Sequence, residues 1–286
     1  MRRSSVAIAA PTKSRASPMA GLYVGAILLA AGCASLPGDE TWEISGSPVE
    51  LSQLGAGSPP IVFEAGLGSY KEVWNKVFPA LAASHAVFAY DRPGVGRSAN
   101  TARPRDAATI VEDLRLLLRA RRLKPPYILV GHSAGGLYMQ LYARKYPDEV
   151  AGLVLVDSTH PTQFEGDGDL SHRGALTNAA LAVGLDASAK AEFNALALSG
   201  REVLAAPPLR ANLPVAILVA TNRSGTSIAA WDNAKGLDLA RFYPGARLSE
   251  LNVGHDVPQD DPQAVVDAIG WTLEARARRN ANGTGL

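Results

Sequence analysis

The chain has little cysteine, little net charge and no apolar run of membrane-spanning length, and each shortage excludes a class of protein. Of its 286 residues only Cys33 is a cysteine, so there is no internal disulfide. With 28 basic against 27 acidic side chains the formal charge is +1, which argues against nucleic acid as a partner. The apolar run at residues 19–31 is too short to span a bilayer as a helix. What remains is 47% hydrophobic and 19% charged, which is enough for one sizeable core.

The N-terminus has the pattern of an export signal. A basic lead that contains Ser and Pro precedes the apolar run, whose length suits the core of a signal peptide. Because Cys33 follows directly, the segment resembles a bacterial lipoprotein signal, in which the cysteine becomes the lipidated first residue after cleavage. We therefore expect residues 1–33 to be a signal peptide and Cys33 to be a lipid anchor, which tethers a protein without spanning the membrane. An ordinary secretory signal with an incidental cysteine is the alternative.

From residue 41 onward, strand-like apolar runs alternate with segments of helical periodicity. This alternation predicts an α/β fold, with a mostly parallel sheet that carries helices on both faces. Most of the strand candidates are apolar throughout, as a doubly covered sheet requires. The eight predicted strands are residues 42–45, 49–54, 61–64, 86–90, 127–130, 153–156, 215–220 and 248–253. Helices are predicted at residues 71–83, 107–121, 135–145, 228–242 and 262–279.

A long connection of different amino-acid composition separates the predicted strand that ends at Val156 from the one that begins at Val215. A polar, acidic piece at residues 163–169 gives way to alanine- and leucine-rich helical sequence at residues 175–204. So long a connection in a compact domain needs its own structure or a function. We expect a small helical lid at residues 158–213, inserted between core segments 34–157 and 214–280, and a flexible tail at residues 281–286.

The most informative segment is residues 127–139, which read YILVGHSAGGLYM. An apolar, β-branched run ends at Gly131-His132-Ser133-Ala134-Gly135, and the apolar face of a helix follows. Gly-x-Ser-x-Gly between a strand and a helix is the signature of a nucleophile elbow, which exposes the serine Oγ above the sheet. Since Gly131 and Gly135 lack Cβ atoms, the chain can turn sharply there, and we expect strained backbone angles at Ser133.

Four motifs, in this order along the chain, resemble those of the α/β-hydrolase family, and the resemblance covers residues 42–278. Glu64-Ala65-Gly66-Leu67-Gly68 follows an apolar strand, where family members usually have His-Gly. The others are the DRPGVGRS loop at residues 91–98, the elbow, and the NVGH loop at residues 252–255. The resemblance implies an α/β-hydrolase fold with an eight-stranded, mostly parallel sheet and a serine nucleophile. The dehalogenase and epoxide hydrolase branches use an aspartate nucleophile, so Ser133 argues against both.

A serine hydroxyl attacks poorly without a base beside it, and the chain has five histidines. His255 is the expected base, because it lies in a Gly-His loop after the final strand, where the chain order Ser…Asp…His puts it. His160, just beyond the end of an earlier strand, is its competitor. Asp157 at the tip of that same strand is the expected acid. Asp232 is the alternative acid, since no carboxylate follows the strand ending at Ala220 before it.

The oxyanion hole is expected to come from two backbone N–H groups. One belongs to Ala134, the residue after the nucleophile, and the resemblance gives the other to Leu67, in the glycine-rich turn after Gly66. Glu64, a carboxylate at a buried strand end, must be paired or neutralised, and Arg92 in the neighbouring loop is a candidate partner.

These residues together predict a carboxylesterase-like serine hydrolase that cleaves an ester, or a similar acyl bond, of a small or apolar substrate through an acyl-enzyme. An amidase, a C–C hydrolase, an acyltransferase and a catalytically silent binding protein of the same fold stay open as alternatives. The sequence shows no metal-ligand cluster, and no cofactor is expected. The expected partners are a small-molecule substrate and, through a lipidated Cys33, the periplasmic face of a bacterial membrane; a secreted or periplasmic location is the alternative.

Overall fold

The computed structural model describes residues 35–168, 185–222 and 227–282. The predicted signal peptide at residues 1–33, with Cys33, lies outside these ranges, so both stay predictions. Within the described ranges, no helix combines the length and the apolar character that crossing a bilayer needs.

One eight-stranded sheet forms the centre of the fold. Its strands are β1 (Asp39–Ile44), β2 (Ser47–Leu54), β3 (Ile61–Glu64), β4 (Val87–Tyr90), β5 (Tyr127–His132), β6 (Val150–Val156), β7 (Val215–Ala220) and β8 (Arg247–Leu251). They lie in the order β1-β2-β4-β3-β5-β6-β7-β8. The β1/β2 and β2/β4 pairs are antiparallel and the other five pairs are parallel. The prediction of a mostly parallel, eight-stranded sheet is confirmed.

Apolar side chains on both faces of the central strands explain why the sheet forms. Every residue of β3 is buried, with Val62 in the core cluster on one face and Ile61 and Phe63 in the cluster on the other. Side chains alternate between faces along a strand, so a strand covered on both sides must be apolar throughout. Each such side chain contributes about 1.5–3 kcal/mol when it is fully buried. The two edge strands, β1 and β8, are instead largely exposed.

Helices cover both faces of this sheet. They are α1 (Phe78–Ala82), α2 (Ala107–Ala120), α3 (Ala134–Lys145), α4 (Ala187–Ala205), α5 (Ser227–Phe242), α6 (Val257–Asp260) and α7 (Pro262–Ala281). α2 and α3 pack on the face that holds Val62, and α7 packs on the opposite face. Asp106, Asp186 and Asp261 precede α2, α4 and α7, and each side chain accepts a hydrogen bond from the N–H three residues on. These aspartates fix where the three helices begin.

One of the helical predictions needs correction, and one short helix was not predicted. The predicted helix at residues 71–83 is a 3-10 turn, Lys71–Trp74, followed by the separate helix α1. Pro79 lacks the N–H that a continuous helix would use there, and it lies instead in the first turn of a new helix. The short helix α6 begins two residues after His255, where no helix was expected, and Pro258 occupies its first turn in the same way.

The predicted insertion at residues 158–213 is described at both ends. Residues 158–168 form a loop that closes in a 3-10 turn, and α4 fills most of the second part. The helical prediction for residues 175–204 is met from Ala187 onward, while residues 169–184 lie outside the described ranges. α4 packs against α2 and α3. The lid assignment and the domain boundaries stay predictions, as does the tail, of which residues 283–286 also lie outside the described ranges.

Candidate active site

Ser133 lies at the turn between β5 and α3, with backbone angles that only glycine adopts readily. Its φ is 53° and its ψ is −122°, so the strain expected at this position is present. Three hydrogen bonds hold the backbone there: the Ser133 N–H donates to the Val156 carbonyl (3.1 Å), while the Ser133 carbonyl accepts from the N–H groups of Gly136 (3.0 Å) and Thr159 (3.0 Å). The surrounding structure therefore enforces a conformation that costs about 1–3 kcal/mol.

The two motif glycines are required by close backbone approach. A Cβ on Gly135 would lie 2.4 Å from the carbonyl oxygen of Glu64, and one on Gly131 would lie 2.6 Å from the carbonyl oxygen of Gly135. Neither glycine has a positive φ. The reason for glycine at these positions is thus space rather than conformational freedom, and the elbow, α3 and the loop after β3 are packed backbone to backbone.

A hydrogen-bonded chain links Ser133, His255 and Asp157. The Nε2 atom of His255 lies 3.0 Å from the Ser133 Oγ, and its Nδ1 atom lies 2.5 Å from the Asp157 Oδ2. The other carboxylate oxygen of Asp157 accepts a hydrogen bond from the Ala220 N–H at 3.1 Å. With Nδ1 donating to the carboxylate, Nε2 is left to accept the serine proton. The structure therefore joins three predicted residues, from three separate loops, through two hydrogen bonds.

Burial differs sharply along this chain of groups. The Asp157 side chain is 1% exposed and that of His255 is 47% exposed, so the imidazole lies between a buried carboxylate and solvent. Asp157 has a φ of 43°. Two of the three hydrogen-bonded residues, Ser133 and Asp157, therefore have a positive φ. Strain of this kind persists only where the fold over-determines it, and it concentrates at functional sites.

The other candidate residues lie in different surroundings. The Nδ1 atom of His160 is 3.0 Å from the Thr162 Oγ1, and its ring packs edge-on against Phe242. Burial lowers the pKa of His160 to about 4, with the Lys235 ammonium adding to the effect. Asp232, the alternative acid, accepts a hydrogen bond from the Gln163 side chain at 2.7 Å.

His132, the variable residue of the elbow, supports His255. Its Nε2 atom lies 2.9 Å from the backbone carbonyl oxygen of His255, and the two rings are stacked at 4.8 Å in a tilted arrangement. On its other side the ring meets the edge of Trp74, which is fully buried. His132 thus packs beneath the loop that carries the expected base.

The two expected oxyanion donors flank the nucleophile. Ala134 is the first residue of α3, where N–H groups have no partner within the helix. The Leu67 N–H meets no acceptor in the part of the chain that the structure describes. The loop that carries Leu67 touches the nucleophile, since a Cβ on Gly66 would lie 3.2 Å from the Ser133 Cβ. Neither N–H group has an acceptor among the described residues, and both belong to segments that adjoin the serine, as an oxyanion hole requires.

A buried ion network lies under the Leu67 loop. Arg92 Nη1 donates to Glu64 at 2.7 Å, so the expected pairing of these two side chains is confirmed. The Nε and Nη2 atoms of Arg92 donate to the two carboxylate oxygens of Glu192 at 2.9 and 2.8 Å. Burial raises the pKa of Glu64 despite the guanidinium beside it. Burial acts in the same direction on Glu192, but Arg92 and Arg105 outweigh it and lower the pKa of that carboxyl.

The comparison with known families agrees with this fold. A sequence model of the alpha/beta hydrolase fold family matches residues 59–183, from just before β3 to within the insertion. The eight-stranded sheet described above extends beyond the matched residues, to β8 (Arg247–Leu251). The chain has the α/β-hydrolase fold.

The proteins that this chain resembles include some with and some without a described activity. YqjL of Bacillus subtilis, an uncharacterized protein, is 28% identical over 236 residues, which cover 81% of this chain and 90% of YqjL. Among solved structures, a thermophilic esterase from Thermogutta terrifontis has a TM-score of 0.59 at 21% identity, covering 82% of this chain and 97% of the esterase. The epoxide hydrolase CorEH has the same TM-score at 21% identity, covering 81% of this chain and 96% of CorEH. At such identities the two structures show the shared fold alone.

Proposed function

We propose that this α/β-hydrolase is a serine hydrolase of the carboxylesterase type, which cleaves an ester or similar acyl bond of a small or apolar substrate. The observation that carries the proposal is the hydrogen-bonded chain from the Ser133 Oγ through His255 to Asp157, at 3.0 and 2.5 Å. A nucleophile within reach of a base, which a third group orients, is the arrangement that activates a serine. The unused N–H groups of Leu67 and Ala134 add the donors that a tetrahedral oxyanion needs.

Each residue has a defined role in the proposed reaction. His255 Nε2 accepts the proton of Ser133 as the Oγ atom attacks the acyl carbon, and the carbonyl oxygen becomes an oxyanion that accepts from the N–H groups of Leu67 and Ala134. His255 then gives the proton to the leaving alcohol, and an acyl-enzyme forms. Water, deprotonated by His255, attacks that ester, and the acid leaves as Ser133 recovers its proton. Asp157 holds the imidazole in the reactive tautomer throughout.

The epoxide hydrolase among the structural neighbours marks the main rival reaction within the superfamily. That branch forms its ester on an aspartate carboxylate, and position 133 of this chain is serine. The observed geometry favours acyl transfer to a hydroxyl because His255 Nε2 is placed to take a proton from the Ser133 Oγ. Amide, carbon–carbon or acyl-acceptor chemistry could use the same residues, and so these stay as alternatives to be separated by substrate.

The test compares the purified wild type with Ser133→Ala and His255→Gln on p-nitrophenyl esters of increasing acyl length. We expect turnover by the wild type only, with a loss of several orders of magnitude in kcat for both variants. His160→Gln is the matched control, since it removes a histidine near the same sheet edge and should keep most of the activity. Labelling by a fluorophosphonate, with mass-spectrometric mapping to Ser133, gives a readout that does not depend on the right ester. A wild type that neither turns over any ester nor takes the label would refute the proposal.

We also propose that the protein is exported and held at the membrane by a lipid on Cys33. The support is the sequence pattern alone: a basic lead, a short apolar run and a cysteine directly behind it. Bacterial cells that express the full chain would be fed an alkyne fatty acid and fractionated. We expect label in the membrane fraction for the wild type and none for Cys33→Ala. An unlabelled wild type in the soluble fraction contradicts the anchor and leaves the ordinary secretory signal.

A further inference from the structure

The Arg92 guanidinium holds the loop that carries one of the expected oxyanion donors. Besides its bonds to Glu64 and Glu192, it donates from Nη1 to the carbonyl oxygen of Ala65 and from Nη2 to that of Gly66, each at 2.8 Å. The Gly66 carbonyl also accepts from the Ser69 N–H at 3.2 Å. We propose that Arg92, anchored by Glu192, is a positioning residue that sets the direction of the Leu67 N–H. This inference rests on the proposed serine-hydrolase function.

The planar peptide bond makes this an orientation device. In a trans peptide, the C=O of one residue and the N–H of the next point in opposite directions. The carbonyl of Gly66 is drawn toward the buried Arg92, and so the N–H of Leu67 must point away from it, out of the core. The Gly66–Leu67 peptide cannot rotate without breaking the bond to Arg92. An oxyanion donor has to be in place before charge develops, so a peptide fixed in this way needs no reorganisation during the reaction.

Arg92 can fix the position of the loop because several partners fix its own side chain. Its side chain is 1% exposed, and both of its carboxylate partners are fully buried. The pair with Glu192 is bidentate, which fixes the plane of the guanidinium as well as its place. Arg105 donates to Glu192 at 3.0 Å, and Tyr90 donates to Glu64 at 2.7 Å, so each carboxylate has a second partner. Buried charges this well satisfied have a single low-energy arrangement.

Glu192 belongs to α4, so the predicted insertion takes part in this device. The start of α4 and Leu185 just before it also lie close to the loop: a Cβ on Gly68 would lie 3.1 Å from the Leu185 side chain and 3.5 Å from that of Ala189. Gly68 has a φ of +65°, and glycine suits it both for that reason and for the space. The helix that is expected to shape the substrate pocket therefore also anchors the oxyanion loop, both through the bond of Glu192 to Arg92 and through the apolar contacts at Gly68.

The test compares Arg92→Lys and Glu192→Gln with Arg115→Lys. Lysine keeps the charge but can reach only part of the partner set, and glutamine can accept only one of the two bonds from Arg92. Arg115 makes a bidentate pair with Glu149 at 2.7–3.1 Å on the outer side of α2 and touches no part of the loop, so it controls for the loss of an ion pair as such. Thermal unfolding first shows which variants are folded.

The deciding readout separates oxyanion stabilisation from general damage. A trifluoromethyl ketone forms a tetrahedral adduct with a catalytic serine and needs the oxyanion donors, whereas the corresponding secondary alcohol fills the same pocket without them. For Arg92→Lys we expect kcat to fall about tenfold to a hundredfold, which is part of the loss of one donor, with KM little changed. The Ki of the ketone should rise by a similar factor and that of the alcohol should stay within about twofold. Glu192→Gln should show the same pattern at about threefold to tenfold.

Each result has a distinct meaning. Arg92→Lys at wild-type kcat overturns the inference while the proposed function stands, as does an equal loss of affinity for ketone and alcohol. If Arg92→Lys fails to fold, Glu192→Gln decides by the same ratio of the two Ki values. A wild type that neither turns over esters nor binds the ketone removes the proposed function, and this inference with it. A folded Arg115→Lys that loses as much kcat as Arg92→Lys and Glu192→Gln also overturns the inference.

Discussion

Replacing Gly135 by alanine is expected to lower kcat while the protein stays folded, because the new methyl group meets the backbone that leads into the oxyanion loop. The added Cβ would lie 2.4 Å from the Glu64 carbonyl oxygen and 2.5 Å from that of Ala65. An ordinary contact starts at 3.4 Å, so one side must give by about 1 Å. Neither atom is the end of a flexible side chain, and the displacement therefore passes to the backbone.

The size of the effect follows from this displacement. Oxyanion donors work over a range of about 2.7–3.1 Å, which is narrower than the required shift. A misplacement of about 1 Å can cost on the order of a hundredfold in rate, so kcat should fall by about that factor with KM little changed. Overpacking costs about 1–3 kcal/mol in the free energy of unfolding, which urea denaturation measures and which a protein of this size usually survives.

Gly270→Ala is the matched control for this prediction. Gly270 lies inside α7, and a Cβ there would meet nothing within 4 Å. The same chemical change should raise the free energy of unfolding by up to about 1 kcal/mol and leave ester turnover unchanged. The reasoning is refuted if folded Gly135→Ala keeps kcat within twofold of the wild type.

Other perturbations test other parts of the site. Asp157→Asn should lower kcat for ester hydrolysis by about four orders of magnitude by favouring the wrong tautomer, whereas Asp232→Asn should stay near the wild type; the reverse would move the acid to Asp232. The free energy of unfolding from urea denaturation should be about 1 kcal/mol higher for Ser133→Gly than for Ser133→Ala, because glycine adopts a φ of 53° without strain. Equal midpoints would contradict stored strain there. Because burial lowers the folded-state pKa of His160 to about 4, the unfolded chain takes up this proton first, at its ordinary pKa of about 6.5. The free energy of unfolding should then fall by up to about 3 kcal/mol as the pH drops from about 6.5 to 4. Above about pH 6.5 the contribution of His160 should be present in full. Urea midpoints across the window should depend less on pH in His160→Gln, and an unchanged dependence would count against this assignment.

The parts of the fold that follow from the sequence are those written in local patterns. β3 and β5 each begin with a short apolar run that is followed by turn residues, and both are buried strands. The elbow depends on five consecutive residues, so the strain at its serine can be predicted from those residues alone. His255 follows from a loop motif and from chain order. In each case the residues that decide the outcome are neighbours along the chain.

What the sequence left open depends on contacts between distant segments. Asp157 and Asp232 both precede His255 in the chain, and only the packing of three loops brings the Asp157 carboxylate to the imidazole. Glu192 pairs with Arg92 across a hundred residues, from a helix whose sequence shows no unusual pattern. The available signal was a glutamate in an alanine-rich helix, whose burial the sequence alone does not show. It needs a cation, but the sequence does not say which one.

The open edges of the sheet have a consequence for how the protein behaves in concentrated solution. Among the described residues, β1 and β8 each leave a row of backbone donors and acceptors without a neighbouring strand, which is a template for self-assembly. Glu40 and Glu43 stand exposed on one edge, and Arg247 and Glu250 stand on the other. Two sheets that met edge to edge would bring these charges together out of water. A variant with valine at both Glu40 and Glu43 should therefore form fibrils or precipitate while its hydrolytic machinery is still intact.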